Sequence, residues 1–124
     1  MHVTPTLVLA ATLFHASSAT ISLGHGGGRG NLAWIDGDDV CGTPGKNKDT
    51  VRDISASGQS PCGHRFTLVN GHTYEVQGCG GDLWLNEIVN GQAQFNSNCH
   101  YISPNQHIGC YMTTPDVIKD YNCY

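Results

Sequence analysis

The sequence predicts an all-β domain stapled by disulfides. Three observations lead there. Apolar and polar residues alternate along two stretches, around Phe66–Val76 and Leu83–Phe95. Each stretch is broken by Asn-Gly, at Asn70-Gly71 and Asn90-Gly91. Six cysteines, Cys41, Cys62, Cys79, Cys99, Cys110 and Cys123, follow an apolar leader in a short chain.

The leader comes first because it sets the compartment. Thr4–Phe14 is an apolar run of signal-peptide length, too short to cross a bilayer, and Ser17 and Ala19 are small residues where a signal peptidase prefers them. Residues 1–19 are therefore expected to be a signal peptide, although only His2 and the amino terminus supply positive charge at its start. Its removal leaves roughly 100 residues, one domain, secreted to the extracellular space. There an even number of cysteines reads as disulfides. No Cys-x-x-Cys pair occurs, so a zinc site is not expected. Spacing alone selects no pairing. Each bridge contributes about 2–4 kcal/mol, and a core this small nets only about 3–5 kcal/mol, so the bridges decide whether the chain stays folded.

The formal net charge is −4. Of the basic residues only Lys46, Lys48 and Arg52 cluster, beside Asp49 and Asp53. This balance argues against an electrostatic grip on nucleic acid or an anionic membrane.

Residues 20–33 contain five glycines between Gly24 and Gly30, and ordering them is entropically expensive. They predict a flexible arm ahead of a domain over 34–124. A phosphate loop would need flanking strand and helix and a Lys-Ser/Thr pair, and an oxyanion loop would need G-x-S-x-G; neither accompanies them. Trp34 and Ile35 open the first strand before the turn at Asp36-Gly37. The "DGDD" run lacks the ligand spacing and closing Glu of a calcium loop. Thr43–Ser60 reads as loop with a short strand over Thr50–Ile54. Phe66 and Leu68, then Tyr74 and Val76, form one hairpin; Leu83 and Leu85, then Ala93 and Phe95, form a second. Asn-Gly suits a type I′ turn in both. The "GCGG" between them suits a bulge or sheet corner. Four consecutive antiparallel strands result. After a turn at Pro104 and a short strand at "HIGCYM", a two-turn C-terminal helix is expected, with Thr114 as cap, Pro115 in its first turn and Asp116 near its positive end.

The stretch Pro61–Cys99 resembles the MAX effectors, the ToxB-like small secreted proteins of plant-pathogenic fungi. The shared features are the Cys before an alternating strand, "GHTYEV" at Gly71–Val76, Cys79-Gly80, a second alternating strand, Asn90-Gly91, and Cys99. The resemblance implies a six-stranded antiparallel β-sandwich. It also implies the pairs Cys41–Cys99 and Cys62–Cys79, leaving Cys110 to Cys123. In function it implies a non-enzymatic virulence protein that binds a host protein, a plant target or an immune receptor, through a strand edge or sheet face. The arm and the residues after Cys99 have no counterpart in that pattern.

The residues themselves offer other chemistry. His72, Glu75 and Arg65 supply the acid, base and phosphate-binding types of a guanyl-type ribonuclease. In an extended strand, however, His72 and Tyr74 share one face and Glu75 takes the other. His64, His72, His100 and His107 are metal-binding types without a metal-binding spacing. Trp84, Tyr74, Tyr101 and Tyr111 are the stacking residues of a carbohydrate binder, and low positive charge speaks against an antimicrobial that disrupts membranes. The reading adopted has no catalytic residue, metal or cofactor. It places binding on Phe66, Leu68, His72, Tyr74 and Trp84, with strand addition along Phe66–Val69 or Thr73–Gln77. The protein is expected to be a monomer, secreted, with entry into host cells left open.

Overall fold

The four strands expected from the alternating runs all form, and four more join them. In the computed structural model, which describes residues 19–43, 49–110 and 115–124, the strands are β1 (Ile21–Gly26), β2 (Asn31–Ile35), β3 (Arg52–Ser55), β4 (Arg65–Thr67), β5 (Thr73–Gln77), β6 (Trp84–Val89), β7 (Gln92–Ile108) and β8 (Val117–Cys123). They make one antiparallel sheet in the order β3-β2-β1-β8-β7-β6-β5-β4. The sheet curls into a nearly closed barrel. Its two end strands come alongside each other, where Arg52 Nε of β3 donates to the Thr67 carbonyl of β4 at 3.0 Å.

The second hairpin forms as its residues require. Asn90 and Gly91 both have positive φ, 52° and 79°, and join Val89 to Gln92 in a two-residue turn. The first hairpin differs from the type I′ turn expected. Leu68 N donates to His72 O at 3.0 Å and Gly71 N to Leu68 O at 2.9 Å, so the loop has three residues, Val69, Asn70 and Gly71. Only Gly71 takes positive φ, the pattern of a turn followed by a left-handed residue.

The glycine-rich stretch is not an arm. It forms β1, a turn and β2, a hairpin at the centre of the sheet with β8 on its other side. The glycines permit close approach. A Cβ at Gly24 would lie 2.0 Å from the Ile118 carbonyl oxygen, and one at Gly30 would lie 2.0 Å from that of Ser55. Contacts available only to glycine offset the ordering entropy that argued for flexibility. The C-terminal helix is also absent, since Val117–Cys123 is strand β8. Thr114 lies outside the described residues. Asp116 instead accepts from the Cys110 backbone N–H at 2.9 Å. Val117 and Lys119 are buried on one face by the alternation of a strand, and pairing with both β1 and β7 overrides the local helix-start signal. Pro104 belongs to β7 rather than to a turn between strands, although residues 102–105 bulge out opposite Asp120.

Two cores result. The barrel interior holds Ile21, Leu23, Ala33, Ile54, Phe66, Leu68, Tyr74, Val76, Leu83, Leu85 and Cys123. On the outer face of β1, β2 and β8, Leu32, Trp34, Val40 and Val117 make a second cluster under the loop that follows β2. Strands buried on both faces explain why Ile21, Ser22, Leu23 and Gly24 are buried without a break. Six strands in a two-sheet sandwich, as the resemblance implied, are replaced by eight in one curled sheet.

Two of the three implied disulfides change with this topology. Cys62–Cys79 forms, but Cys41 pairs with Cys110 and Cys99 with Cys123. Cys99 cannot serve Cys41, because β7 and β8 place it directly opposite Cys123. Cys41–Cys110 then ties the loop covering the second core to the far end of β7.

Beside the second core, Lys119 Nζ lies 2.5 Å from Asp36 Oδ1, and the Ser22 hydroxyl lies 3.0 Å from the same oxygen and 2.8 Å from Asn122 Oδ1. The hydrogen bond from Lys119 holds the Asp36 carboxyl below the usual carboxylate range; burial opposes this, and Ser22 and the Lys119 charge support it.

Two predictions follow from the packing. Gly24→Ala lowers unfolding stability by about 3 kcal/mol through overpacking, whereas Gly27→Ala, whose Cβ would meet nothing nearer than 3.8 Å, changes it by less than about 0.5 kcal/mol; urea melts with disulfides intact distinguish them. For Asp36, the lowered native pKa means that the unfolded chain takes up the proton first. The pair's stabilisation is full above about pH 4 and is lost as pH falls through the native pKa. Asp36→Asn is therefore less stable than the parent by about 1–2 kcal/mol at pH 7, allowing for screening at this partly exposed group, and melts at pH 3 and below show the gap narrowing.

Candidate functional site

The outer face of β4–β7 is set by strand register. Pairing aligns Arg65, Glu75, Asn86 and Phe95 in one row across the four strands. Gln77, Trp84 and Asn98 form the row on one side of it, and Thr67, Thr73, Ile88 and Ala93 the row on the other. Polar groups on this face satisfy one another. Arg65 Nε lies 3.8 Å from Glu75 Oε2, Gln77 Nε2 donates to Glu75 Oε1 at 2.7 Å, and the Thr67 and Thr73 hydroxyls are 2.7 Å apart. Among them stand Trp84, 38% exposed, and Phe95, 64% exposed. The indole rests on the backbone at Gly78, where an added Cβ would come within 2.9 Å of the ring.

Phe95 faces solvent because of a bulge. Leu85 pairs with Ser97 and Asn86 with Phe95, so Asn96 is an extra residue. In a regular strand Phe95 and Ser97 would share a face. The extra residue reverses the alternation, turning Ser97 into the core and Phe95 out. The alternation of the sequence put Phe95 among the strand-forming residues without showing its direction, and no residue type marks this bulge.

A polar cluster lies across β5 and β6 on the other side. His72 Nδ1 is 2.6 Å from Glu87 Oε2, and Asn96 Nδ2 donates to Glu87 Oε1 at 3.4 Å. Asn70 accepts from the His72 backbone N–H at 3.0 Å and donates to the Tyr74 hydroxyl at 3.0 Å. Burial pushes the Tyr74 hydroxyl above its usual range, against the lowering effect of Asn70, and the Glu87 charge adds to the rise. A carboxylate on Nδ1 orients the imidazole, and a His–Glu pair is of the residue types that general acid–base chemistry uses.

The residues nominated from the sequence are thus divided. Phe66, Leu68 and Tyr74 are buried in the barrel interior and are not presented at the surface. Their shared face is apolar, and in a curled sheet the apolar face is the inside. His72 is exposed but engaged by Glu87, while Glu75 and Arg65 are with each other on the outer face. The ribonuclease set His72, Glu75 and Arg65 is therefore not brought together. Of the residues nominated for binding, Trp84 and His72 are the two that reach solvent. Thr73–Gln77 is no strand edge, since β5 pairs with both β4 and β6. The Phe66–Val69 edge abuts β3 through Arg52. Tyr101 is exposed and packs edge-on against Tyr121 with ring centroids 5.4 Å apart; Tyr111 lies outside the described residues. Among the described residues no three His, Cys, Asp or Glu side chains gather as a metal site, so His64, His72, His100 and His107 do not converge.

No family model, no curated protein and no solved structure matches the chain.

Proposed function

We propose that this chain is a secreted, non-enzymatic binding protein, an effector of a plant-pathogenic fungus, whose partner is a host protein. One observation carries the reading: Trp84 and Phe95 stand on one solvent-facing sheet surface among polar side chains whose only charges, Arg65 and Glu75, face each other. Exposed large aromatics on a rigid strand scaffold are the residue types that dominate binding energy at protein interfaces. Three disulfides in so small a chain suit an oxidising extracellular setting. The motif resemblance in Pro61–Cys99 supplies the plant host. Capture from host tissue with the purified protein as bait tests it. Phe95→Ala and Trp84→Ala are each expected to reduce capture of a specific protein about tenfold or more, with the melting temperature of Phe95→Ala unchanged. Equal capture by parent and variants overturns the reading.

A second reading, a secreted ribonuclease, is favoured by the 2.6 Å contact between His72 and Glu87. Glu87 takes the place that Glu75 had in the sequence-derived set. On this reading the purified protein cleaves RNA and His72→Ala slows cleavage about 100-fold or more. On the binding reading neither protein cleaves.

A further inference from the structure

Sheet edges are where strands meet other chains, and proteins guard them with charge, proline, bulges or shortness. Most edges here are guarded. β3 carries Arg52 and Asp53, and β4 has three residues and lies against β3. The second half of β7 contains Pro104 and the bulge between Tyr101 and Gln106. The first half has no such device. Gln92–Ser97 reads QAQFNS, without charge, proline or glycine, and Gln92–Phe95 are all exposed. Among the described residues no strand pairs with it on the side away from β6.

The polarity of this edge follows from the hairpin. Residues flanking a two-residue turn exchange both backbone hydrogen bonds, so Gln92 and Gln94 aim their N–H and C=O groups at β6. Ala93 and Phe95 aim theirs outward. Beyond the bulge the Asn98 carbonyl accepts from Tyr124 N at 3.0 Å, which closes that end of the edge.

We infer that this edge binds a second copy of the chain, in antiparallel pairing about a two-fold axis through Gln94, in place of the monomer expected from the sequence. Three registers set outward-facing residues opposite one another: Ala93 on Ala93, Ala93 on Phe95, or Phe95 on Phe95. The first and third give one bonded pair each, and the third also drives Gln92 against Asn98, whose carbonyl Tyr124 occupies. The middle register gives two bonded pairs and four N–H···O bonds. It sets the Phe95 ring of each copy beside the Ala93 methyl of the other, large against small. Gln94 meets Gln94 at the axis, and Gln92 meets Asn96. Two molecules of net charge −4 thus meet along a strip where neither presents a charged side chain. The contact is isologous and closed, so it ends at a dimer. It stands whether or not the outer face binds a host protein.

So short an edge buries less than the roughly 1,200 Å² of the smallest standard interface, so the association is weak and is measured at about 1 mM protein. In sedimentation at that concentration the parent shows dimer and Gln94→Lys, which sets two ammonium groups across the axis, is monomeric. Residues opposite each other in a non-hydrogen-bonded pair have Cα atoms about 4.5 Å apart, within disulfide range. Gln94→Cys therefore forms a covalent dimer in air, and Gln92→Cys, which faces Asn96, does not. A parent that stays monomeric at 1 mM, a dimeric Gln94→Lys, or equal trapping of the two cysteine variants overturns the inference. If mass mapping shows that an added cysteine has reshuffled the native bridges, the sedimentation pair decides.

Discussion

One continuous strand holds the molecule together. The first half of β7 hydrogen-bonds to β6 and the second half to β8, so a single backbone joins the four-strand meander β4–β7 to the strands β1, β2, β3 and β8. The change of partner occurs between Asn98 and Cys99. There the Cys99 N–H reaches the Leu83 carbonyl at 3.0 Å, Tyr124 N reaches Asn98 O at 3.0 Å, and Cys99–Cys123 binds β7 to β8 covalently. If β7 did not run unbroken through this point, the apolar faces of the two halves would not face one interior. The same change of partner leaves the first half of β7 with one neighbour, so the fold's main joint and its barest edge are the same strand.

The second constraint is close backbone approach. β1 lies between β2 and β8 and is covered on its outer face by the side chains of the second core, including Trp34. Gly24 is where this becomes possible, since its missing side chain admits the Ile118 carbonyl and the Trp34 ring. Burying a strand on both faces needs a loop to cover the outer one. The Cys41–Cys110 bridge and the Lys119–Asp36 pair fasten that loop and the turn leading to it. In a chain with so small an apolar interior, covalent links and a charged pair perform work that a larger core would do by area alone.

The outer aromatic face and the polar cluster divide the chemistry of β4–β7 by side. Trp84, Phe95 and the Arg65–Glu75 pair lie outside; His72, Glu87 and Tyr74 lie toward the inner side and its rim. The separation follows from period-two geometry, and the bulge at Asn96 modifies it by aiming Phe95 at solvent while presenting Asn96 to Glu87. One inserted residue therefore shapes both candidate sites.

The sequence by itself determined the all-β class, the meander β4–β7, the shared faces of Phe66 with Leu68, Tyr74 with Val76 and Leu83 with Leu85, and the tight turn at Asn90-Gly91. Each of these rests on neighbours along the chain: alternation, and a residue pair that tolerates positive φ. That Phe66, Leu68 and Tyr74 face the interior and not a partner was decided by the curl of the sheet. Only the tertiary structure decided that the glycine run is a central hairpin, that the expected helix is β8, and which cysteines meet. Those depend on residues distant in sequence, such as Gly24 with Ile118 and Cys99 with Cys123. Gly24 is ordered by a carbonyl that local pattern cannot place, and Val117–Cys123 becomes a strand because two neighbours hydrogen-bond to it. The candidate site divides in the same way. Trp84 was legible because it stands out of a regular alternation, whereas the outward turn of Phe95 and the free edge of β7 arise from a bulge and from which strand lies beside which, properties of the assembled sheet.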